Sequence, residues 1–532
     1  MSTPTSVNCH DGVNDLSGFT SIPLTDSKAP VYDIDECIEK SGGFGKFQWL
    51  MIALATISLH GVNFFIYNLG FLELVPRLEC LDSETGQFME CTKEDICRED
   101  SLIDRNLWKV DYSDEFSFNN WMTDMDLYCL SDFKIGLFGS FFFFGYALNG
   151  ILLKQADKYG RKILIGGSFI MVVCAYCLFF WKNIYAKYAF LFLAGISMAT
   201  KVALYIYCTE VCPKRYQIYV GSYVLSVSSF LVIIPTSVYL WIGYKNIQTA
   251  LIVCLFLSVI SAILTLYLPE SPKFLYEKKR YKELRKTLSQ ICEINGTKLK
   301  SNFLIKGEQE HYEAYTKNSS KKLLKGYSSS TQEPLLEGTQ SKIQIGNGPE
   351  YSVFQELQNP VTIINLIAVI ICFSVVSFNF YMLSFYLKYV GGNIYLNTIG
   401  GAISDVIGNF TAGVIQRFFG TMKSFVICFF MALVFSIPLL FSQDPVIIAV
   451  SVFMSRLFLE GAYLIVYYVN PEIFPSLFVP FSFSVSGFIS RFVTIGAPQL
   501  AEVRPRQLPV VIFIILCGVG IFASVSIKSS KK

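Results

Sequence analysis

Long apolar segments recur along this chain and limit its possible folds more than any other feature. A bilayer core about 30 Å thick is crossed by a helix of roughly 20 apolar residues. With 52% of its 532 residues hydrophobic and only 16% charged, the chain is too apolar for an ordinary soluble enzyme. Twelve spans of an all-α membrane protein are predicted: residues 47–72, 133–153, 163–181, 187–209, 217–242, 247–268, 361–387, 394–415, 424–441, 445–469, 479–499 and 508–527.

Charge predicts the orientation of these spans. The first 46 residues form a polar tail without a cleavable signal, so we expect the tail to stay in the cytoplasm. The loop 273–358 carries 15 Lys and Arg against 10 Asp and Glu, as cytoplasmic loops do. Both termini are therefore predicted to be cytoplasmic. Four basic residues after the second span agree: Lys154, Lys158, Arg161 and Lys162.

The segment 73–132, called the outer loop below, has the opposite character. It carries 16 acidic against 5 basic residues and is predicted to lie on the non-cytoplasmic side. An even set of cysteines in such a loop indicates two disulfides, for which three pairings are possible. The candidates are Cys80, Cys91, Cys97 and Cys129.

Landmarks repeat between the two halves of the chain at a nearly constant distance. If the two halves were similar only in being apolar, matching turn residues, acids and prolines would not recur at a constant sequence distance. The pairs are Gly160 and Gly420, 260 residues apart, Glu210 and Glu472, 262 apart, and Pro235 and Pro498, 263 apart. A duplicated unit of six helices is predicted.

Several phrases of the sequence resemble one known family. The phrases are ADKYGRK at 156–162, LPESPKFLYEKKRYKELRKTLSQICEING after the sixth span, NNWMTDMDLYC before the second, and VGGNIYLN at 390–397. Together they are similar to the major facilitator superfamily, and within it to the organic cation, organic anion and carnitine transporters. The resemblance implies a major facilitator fold of 12 transmembrane helices in two six-helix pseudo-repeats.

This resemblance divides the chain into four parts. They are a cytoplasmic tail at 1–46, a six-helix bundle at 47–268, a cytoplasmic loop at 269–360 and a second bundle with a short tail at 361–532. The cytoplasmic loop is expected to hold a small amphipathic helix and, within 300–350, a flexible linker.

The resemblance also implies residues that gate the transport path. Basic residues after the second span can clamp a neighbouring helix end, or they can simply anchor the chain on the cytoplasmic side. The gating candidates are Asp157, Gly160, Arg161, Lys162, Glu210, Glu270 and Glu472. The chain departs from the family where an Arg is expected, with Gln217 in the first half and Val479 in the second.

Polar and aromatic side chains inside spans are candidates for contact with a substrate, because burying them in lipid is costly. Six are predicted to bind substrate: Arg491, Tyr381, Tyr467, Asn379, Lys201 and Asn63. Rings such as Tyr381 and Tyr467 can stack on or surround an organic ion.

Arg491 has the strongest argument among them. It lies near the middle of the eleventh span, in the register where the resembled anion and carnitine carriers have Arg. Its guanidinium is always charged and can bind a carboxylate through two hydrogen bonds. The alternative is an internal ion pair with Asp405 or Glu460. Glu460 is also spaced to pair with Arg456 along one helix face, which is the interpretation favoured for those two residues.

Enzyme chemistry is disfavoured. The sequence has three histidines, no H-E-x-x-H and no G-x-x-x-x-G-K-[ST] phosphate loop, so no catalytic residue, metal site or cofactor is predicted. The predicted function is secondary or facilitative transport of a small organic ion, with an anionic or zwitterionic solute favoured, by alternating access. The alternatives are a structural subunit of a membrane complex and a receptor-like sensor.

The predicted surroundings follow from this function. The partners are the lipid bilayer, the small organic ion and, in the alternative, other subunits of a membrane complex; nucleic acid is not among them. The plasma membrane is the predicted location, with an internal organelle membrane as the alternative.

Overall fold

The computed structural model describes residues 30–82, 84–98, 101–102, 104–297, 303–309, 356–475 and 478–528. Most of the predicted flexible linker lies outside these residues. The chain packs as two units. The smaller comprises Met1–Trp49, Glu210–Tyr216 and Pro269–Ile343, and the larger comprises Leu50–Thr209, Gln217–Leu268 and Gln344–Lys532.

Helices dominate the described residues. In the first half they are α1 (Ile34–Lys40), α2 (Lys46–Leu72), α3 (Lys93–Ile96), α4 (Trp121–Asp124), α5 (Asp132–Tyr159), α6 (Arg161–Phe179), α7 (Ile184–Ser197), α8 (Ala199–Glu210), α9 (Gln217–Trp241), α10 (Ile247–Leu266), α11 (Pro272–Glu277) and α12 (Tyr281–Asn295). In the second half they are α13 (Pro360–Tyr386), α14 (Ile394–Phe419), α15 (Thr421–Ser436), α16 (Pro445–Ile473), α17 (Val479–Thr494), α18 (Gly496–Glu502) and α19 (Leu508–Ser526).

Each predicted span coincides with one long helix or with a pair of consecutive helices. The fourth span is built from α7 and α8, and the eleventh from α17 and α18. Among the described residues, ten helical segments are long and apolar enough to cross a membrane. The two halves of the chain meet where α5 packs on α17 and α18, and where α9 packs on α14.

Close helix crossings recur at corresponding places in the two halves. A Cβ on Gly145 of α5 would lie 2.0 Å from the carbonyl oxygen of Phe192 in α7. A Cβ on Gly408 of α14 would lie 2.5 Å from the carbonyl oxygen of Leu457 in α16. Only glycine permits backbones to approach so closely. The two glycines are 263 residues apart, which matches the spacing of the predicted repeat.

The outer loop forms a small folded region of its own. Strands β2 (Leu78–Leu81), β3 (Phe88–Cys91) and β6 (Trp108–Val110) make an antiparallel sheet in the order β3-β2-β6. A second pair consists of β4 (Cys97–Arg98) and β5 (Ser101–Leu102). Buried apolar side chains form the core of this region, namely Leu78, Ile96, Trp108 and Tyr128. The four predicted cysteines form two disulfides, Cys80–Cys91 and Cys97–Cys129.

The two disulfides are expected to contribute unequally to the stability of the outer loop. Cys97–Cys129 closes a sequence separation of 32 residues and Cys80–Cys91 one of 11. By loop-closure entropy each bridge stabilises the folded loop by about 3–4 kcal/mol. The bridge that closes the longer loop contributes about 1 kcal/mol more than the other. Replacing Cys97 and Cys129 by Ser should therefore speed amide hydrogen exchange in β6 more than replacing Cys80 and Cys91. Equal acceleration in the two double variants would contradict this ranking.

The smaller unit is held together by an amphipathic helix and a short parallel strand pair. In α12, Leu284, Leu288 and Ile291 are fully buried at helical spacing, as one apolar face requires. Strand β1 (Val31–Tyr32) pairs with β7 (Leu304–Ile305). The amide of Asn295 closes the unit, because its Oδ1 accepts from the Phe47 N–H at 2.8 Å and its Nδ2 donates to the Ser41 carbonyl at 3.0 Å.

Candidate functional site

The position of Arg491 is set by hydrogen bonds on the neighbouring face of α17. Ser490 donates to the Phe373 carbonyl at 3.1 Å, and Thr494 bonds to Ser377 at 3.0 Å, so this face is fixed against α13. Arg491 follows Ser490 and therefore lies about 100° further around the helix. Its guanidinium carbon lies 4.6 Å from the centre of the Tyr146 ring in α5, across the boundary between the halves.

Arg491 forms no ion pair with a carboxylate of the described residues. Its electrostatic partners include the tyrosines Tyr146, Tyr381, Tyr463 and Tyr467, and it is hydrogen-bonded to Tyr146. The alternative of an ion pair with Asp405 or Glu460 is therefore not realised in this structure. The guanidinium among these tyrosine rings and hydroxyls can still donate two hydrogen bonds to a bound anion.

Asp405 is occupied by Arg456. The Arg456 Nη2 lies 2.7 Å from Asp405 Oδ2, and its Nε lies 3.2 Å from Oδ1, which is the bidentate arrangement. Ser384 Oγ accepts from Arg456 Nη1 at 2.9 Å. Both members of the pair are at most 4% exposed. This pair joins α14 to α16. Because its two charges neutralise each other, neither is available to bind a ligand.

The expected pairing of Arg456 with Glu460 along α16 was wrong. Arg456 reaches across to Asp405 in the neighbouring helix, where both carboxylate oxygens can be used at once. Glu460 instead accepts a hydrogen bond from Asn409 Nδ2 at 3.2 Å. Glu460 is thereby left without a bidentate partner among the described residues.

Lys201 lies on α8, in the same charged region. It interacts electrostatically with Glu460 and with the tyrosines Tyr67, Tyr146 and Tyr467. Once the Asp405–Arg456 pair is set aside, the described part of this region holds two cations, Lys201 and Arg491, and one carboxylate, Glu460. The region therefore has an excess of one positive charge.

Of the two predicted tyrosines, Tyr467 is 36% exposed and Tyr381 is 7% exposed. Tyr381 packs edge-on against Phe143 of α5, with ring centres 4.6 Å apart. Tyr467 lies against Phe373 and Phe483 at 6.2 and 5.7 Å. Both tyrosines interact electrostatically with Arg491, and Tyr381 in addition lines the contact between the halves.

The two predicted asparagines do not join Arg491. Asn379 donates to the Phe513 carbonyl at 3.1 Å and to Cys517 Sγ at 3.3 Å, so its amide faces α19. Asn63 is fully buried in α2, and both of its amide atoms lack a hydrogen-bond partner among the described residues. His60, one turn before Asn63, lies outside the residues whose side chains are described.

The predicted gating residues of the first half form a helix boundary. Gly160 has φ +113° and directly precedes α6, and Gly420 has φ +77° and directly precedes α15, so both repeats use glycine at the same turn. Lys162 Nζ donates to the Leu266 carbonyl at 2.9 Å, at the end of α10. A cation at a helix C-terminus is stabilised by the helix dipole. The side chain of Asp157 lies outside the described residues, and Arg161 is buried.

The three predicted gating acids occupy helix ends and a connection. Glu210 is the last residue of α8, and Glu472 is exposed in the last turn of α16. Glu270 lies just before α11, where its Oε1 accepts from the Ser271 N–H at 2.9 Å. A gating role for these acids stays a prediction.

On the side of the outer loop, called the outer side below, the halves are joined by contacts that sequence patterns did not reveal. The ring of Tyr395 in α14 stacks near Phe71, Phe116 and Trp241. Its hydroxyl donates to the Glu115 carbonyl at 2.7 Å. Because these contacts join residues far apart in the chain, no local motif could have indicated them.

A second contact on the outer side is made by Lys388 with Glu73 and Glu502. A cavity next to it extends towards Arg456 and includes Tyr67, Ser384 and Thr398 in its lining. The only sequence signal for this cluster was three charged residues, each at the end of an apolar run. Such residues ordinarily indicate the boundary of a span.

Comparison with known proteins identifies relatives of this chain. The model of the Major Facilitator Superfamily matches residues 110–465. Solute carrier family 22 member 21 of Mus musculus is 23% identical over 535 residues, covering 90% of this chain and 88% of that protein. Organic cation/carnitine transporter 5 of Arabidopsis thaliana is 31% identical over 176 residues, covering 32% of this chain and 31% of that protein.

The fold has a counterpart among solved structures. The partially occluded, inward-open xylose transporter XylE of E. coli superimposes with a TM-score of 0.53 at 11% identity, over 90% of this chain and 96% of XylE. The predicted fold and the predicted resemblance are confirmed, and an enzyme is not indicated. From the family match over most of its length, this chain belongs to the Major Facilitator Superfamily.

Proposed function

We propose that the chain carries a small anionic or zwitterionic organic solute across a membrane by secondary or facilitative transport. The observation that carries this proposal is Arg491. It is a permanent cation within a membrane-spanning helix, it has no carboxylate partner among the described residues, and it is surrounded by tyrosines of both halves. A charge within a membrane-spanning helix is costly unless a partner of opposite sign binds it.

The sign of the substrate is argued from the charges around Arg491. Arg491 and Lys201 outnumber Glu460 once Asp405 and Arg456 have neutralised each other. A carboxylate on the solute would offset the excess positive charge. Glu460 accepts a hydrogen bond from Asn409 and interacts with Lys201 at longer range, and it can accept a cationic group of the same solute.

The relatives support the same class of solute. Several are named organic cation/carnitine transporters, and carnitine combines a carboxylate with a quaternary ammonium group. Tyrosine rings such as Tyr146 and Tyr467 suit such a group, because a cation over a ring face is attracted to it. Alternating access about this site, with both termini cytoplasmic in the plasma membrane, completes the proposal.

A matched set of solutes tests the proposal. Purified protein in liposomes would be offered a carboxylate, a betaine and a quaternary ammonium compound of the same chain length. We expect protein-dependent uptake of the carboxylate or the betaine, at least tenfold above the quaternary ammonium compound, with protein-free liposomes as the control. Uptake of the cation alone would contradict the predicted sign.

A structural subunit without transport activity is the competing function. It is favoured by the replacement of two basic residues expected in the family, at Gln217 and Val479. This alternative predicts no uptake of any of the three solutes, no thermal stabilisation by them, and co-purification with a partner at fixed stoichiometry. Solute-dependent stabilisation of the isolated protein would exclude it.

A further inference from the structure

Glu73, Lys388 and Glu502 form a buried cluster of three charged side chains on the outer side. Lys388 Nζ lies 3.0 Å from Glu73 Oε2 and 2.7 Å from Glu502 Oε1. None of the three side chains is more than 3% exposed. Glu73 follows α2 of the first half, whereas Lys388 and Glu502 belong to the second. The cluster therefore bridges the two halves.

The charges of the cluster do not balance, because two carboxylates share one ammonium group. Glu502 is the better satisfied carboxylate, since the Tyr389 hydroxyl also donates to its Oε2. Arg506 lies 3.5 Å from the centre of the Tyr389 ring and donates to the Glu502 backbone carbonyl. Glu73 Oε1 is buried and has no hydrogen-bond partner among the described residues. The unbalanced negative charge therefore rests mainly on Glu73.

The charged and titratable groups that face Glu73 in the described residues come from three helices and their ends. They are Lys388 after α13, Glu502 at the end of α18, and Tyr188 of α7. Burial raises the pKa of Glu73 to about 7, Lys388 opposes this rise, and Glu502 adds to it. If the halves separated on this side, water would reach Glu73 and restore the ordinary pKa of a glutamate.

We propose that Glu73 is a proton-binding site that controls opening of the outer side, with the bound proton stabilising the contact between the halves. A proton on Glu73 leaves Lys388 and Glu502 as a neutral pair. A carboxyl group whose pKa is higher in the closed state takes up a proton on closing. Closure is therefore favoured at acidic pH, and this advantage is lost as the pH rises through about 7.

Protonation of Glu73 does not depend on which solute is transported, so the test uses protein without any solute. Thr398 lines the cavity next to Lys388, and Thr398→Cys provides a reporter there. The protein in nanodiscs would be labelled with a bulky, charged maleimide between pH 5.5 and 8.5. Mass spectrometry of the peptide that contains residue 398 separates this reaction from those of the native cysteines.

The matched control removes the intrinsic pH dependence of the thiol. Each labelling rate is divided by the rate for Glu73→Gln/Thr398→Cys, in which the side chain keeps its shape but cannot ionise. We expect this ratio to rise on the order of tenfold from pH 5.5 to 8.5, because ionised Glu73 disfavours closure. A ratio that stays constant within twofold, or that falls with rising pH, would overturn the proposal.

A second variant tests the charge imbalance itself. In Glu502→Gln/Thr398→Cys, Glu73 and Lys388 form a neutral pair, so ionised Glu73 should be tolerated in the closed state. We expect the rise in labelling to move by at least one pH unit towards acid relative to Thr398→Cys alone. This comparison does not need Glu73→Gln to fold. An unmoved or alkaline-shifted rise would contradict the role of the three-charge cluster.

Discussion

Uptake of a carboxylate or betaine should fall on the order of 100-fold in Arg491→Ala. A buried, charge-assisted contact is worth about 2–5 kcal/mol when one partner is removed, and each 1.4 kcal/mol is a factor of ten. Arg491→Lys keeps the charge but loses the planar pair of donors, so we expect a smaller loss of about tenfold. Initial rates in proteoliposomes over a range of solute concentrations measure both effects.

The control for Arg491 lies on the same helix. Ser484 is exposed on α17, and within the described part of the chain its hydroxyl bonds only to the Pro480 carbonyl of its own helix. Ser484→Ala should leave uptake unchanged. If Arg491→Ala is folded, as judged by its melting temperature, and still takes up every accepted anionic or zwitterionic solute within twofold of the native rate, Arg491 does not bind the substrate.

Breaking the Asp405–Arg456 pair should strongly destabilise the fold. Asp405→Asn or Arg456→Met leaves one charge buried without its partner, at a cost of about 3–5 kcal/mol. We expect a clear fall in the melting temperature of the detergent-solubilised protein in either variant. Because the pair lies beside Glu460 and Lys201, uptake should also fall.

A double variant separates pairing from packing. Asp405→Leu/Arg456→Met replaces both charges by apolar groups, and such replacements of buried ion pairs are often neutral or stabilising. Its melting temperature should recover most of the loss seen in Arg456→Met. A double variant that is as unstable as the sum of the two single changes would show that the two charges stabilise the fold independently.

The spans were predictable because the bilayer imposes a length and an apolar composition on every helix that crosses it. The ends of the helices were less predictable. Helix α16 continues through Pro471 to Ile473, beyond the predicted end at 469, because backbone hydrogen bonds persist where the apolar composition ends. The break between α17 and α18 was not predicted, and the Ile495 carbonyl at that break accepts from Ser140 of α5 at 2.8 Å. This partner is 355 residues away in sequence.

Individual residues of the candidate site were predictable from the sequence, but the contacts between their side chains were not. Register identified Arg491, and the structure shows it facing the other half. Spacing along one helix suggested a partner for Arg456, yet the better partner lay on a neighbouring helix, 51 residues away. Lys388 and Glu73 are 315 residues apart and meet only because the halves close on the outer side.

Tyr395 ties the outer loop to the transport helices. Its ring lies among Phe71, Phe116 and Trp241, and its hydroxyl is bonded to the backbone of Glu115 within the loop. Any motion that draws α14 away from the first half must withdraw this ring and break that hydrogen bond. The disulfide-bonded loop is thus linked to the motion of α14, and we expect a ligand that rigidifies the loop to slow that motion.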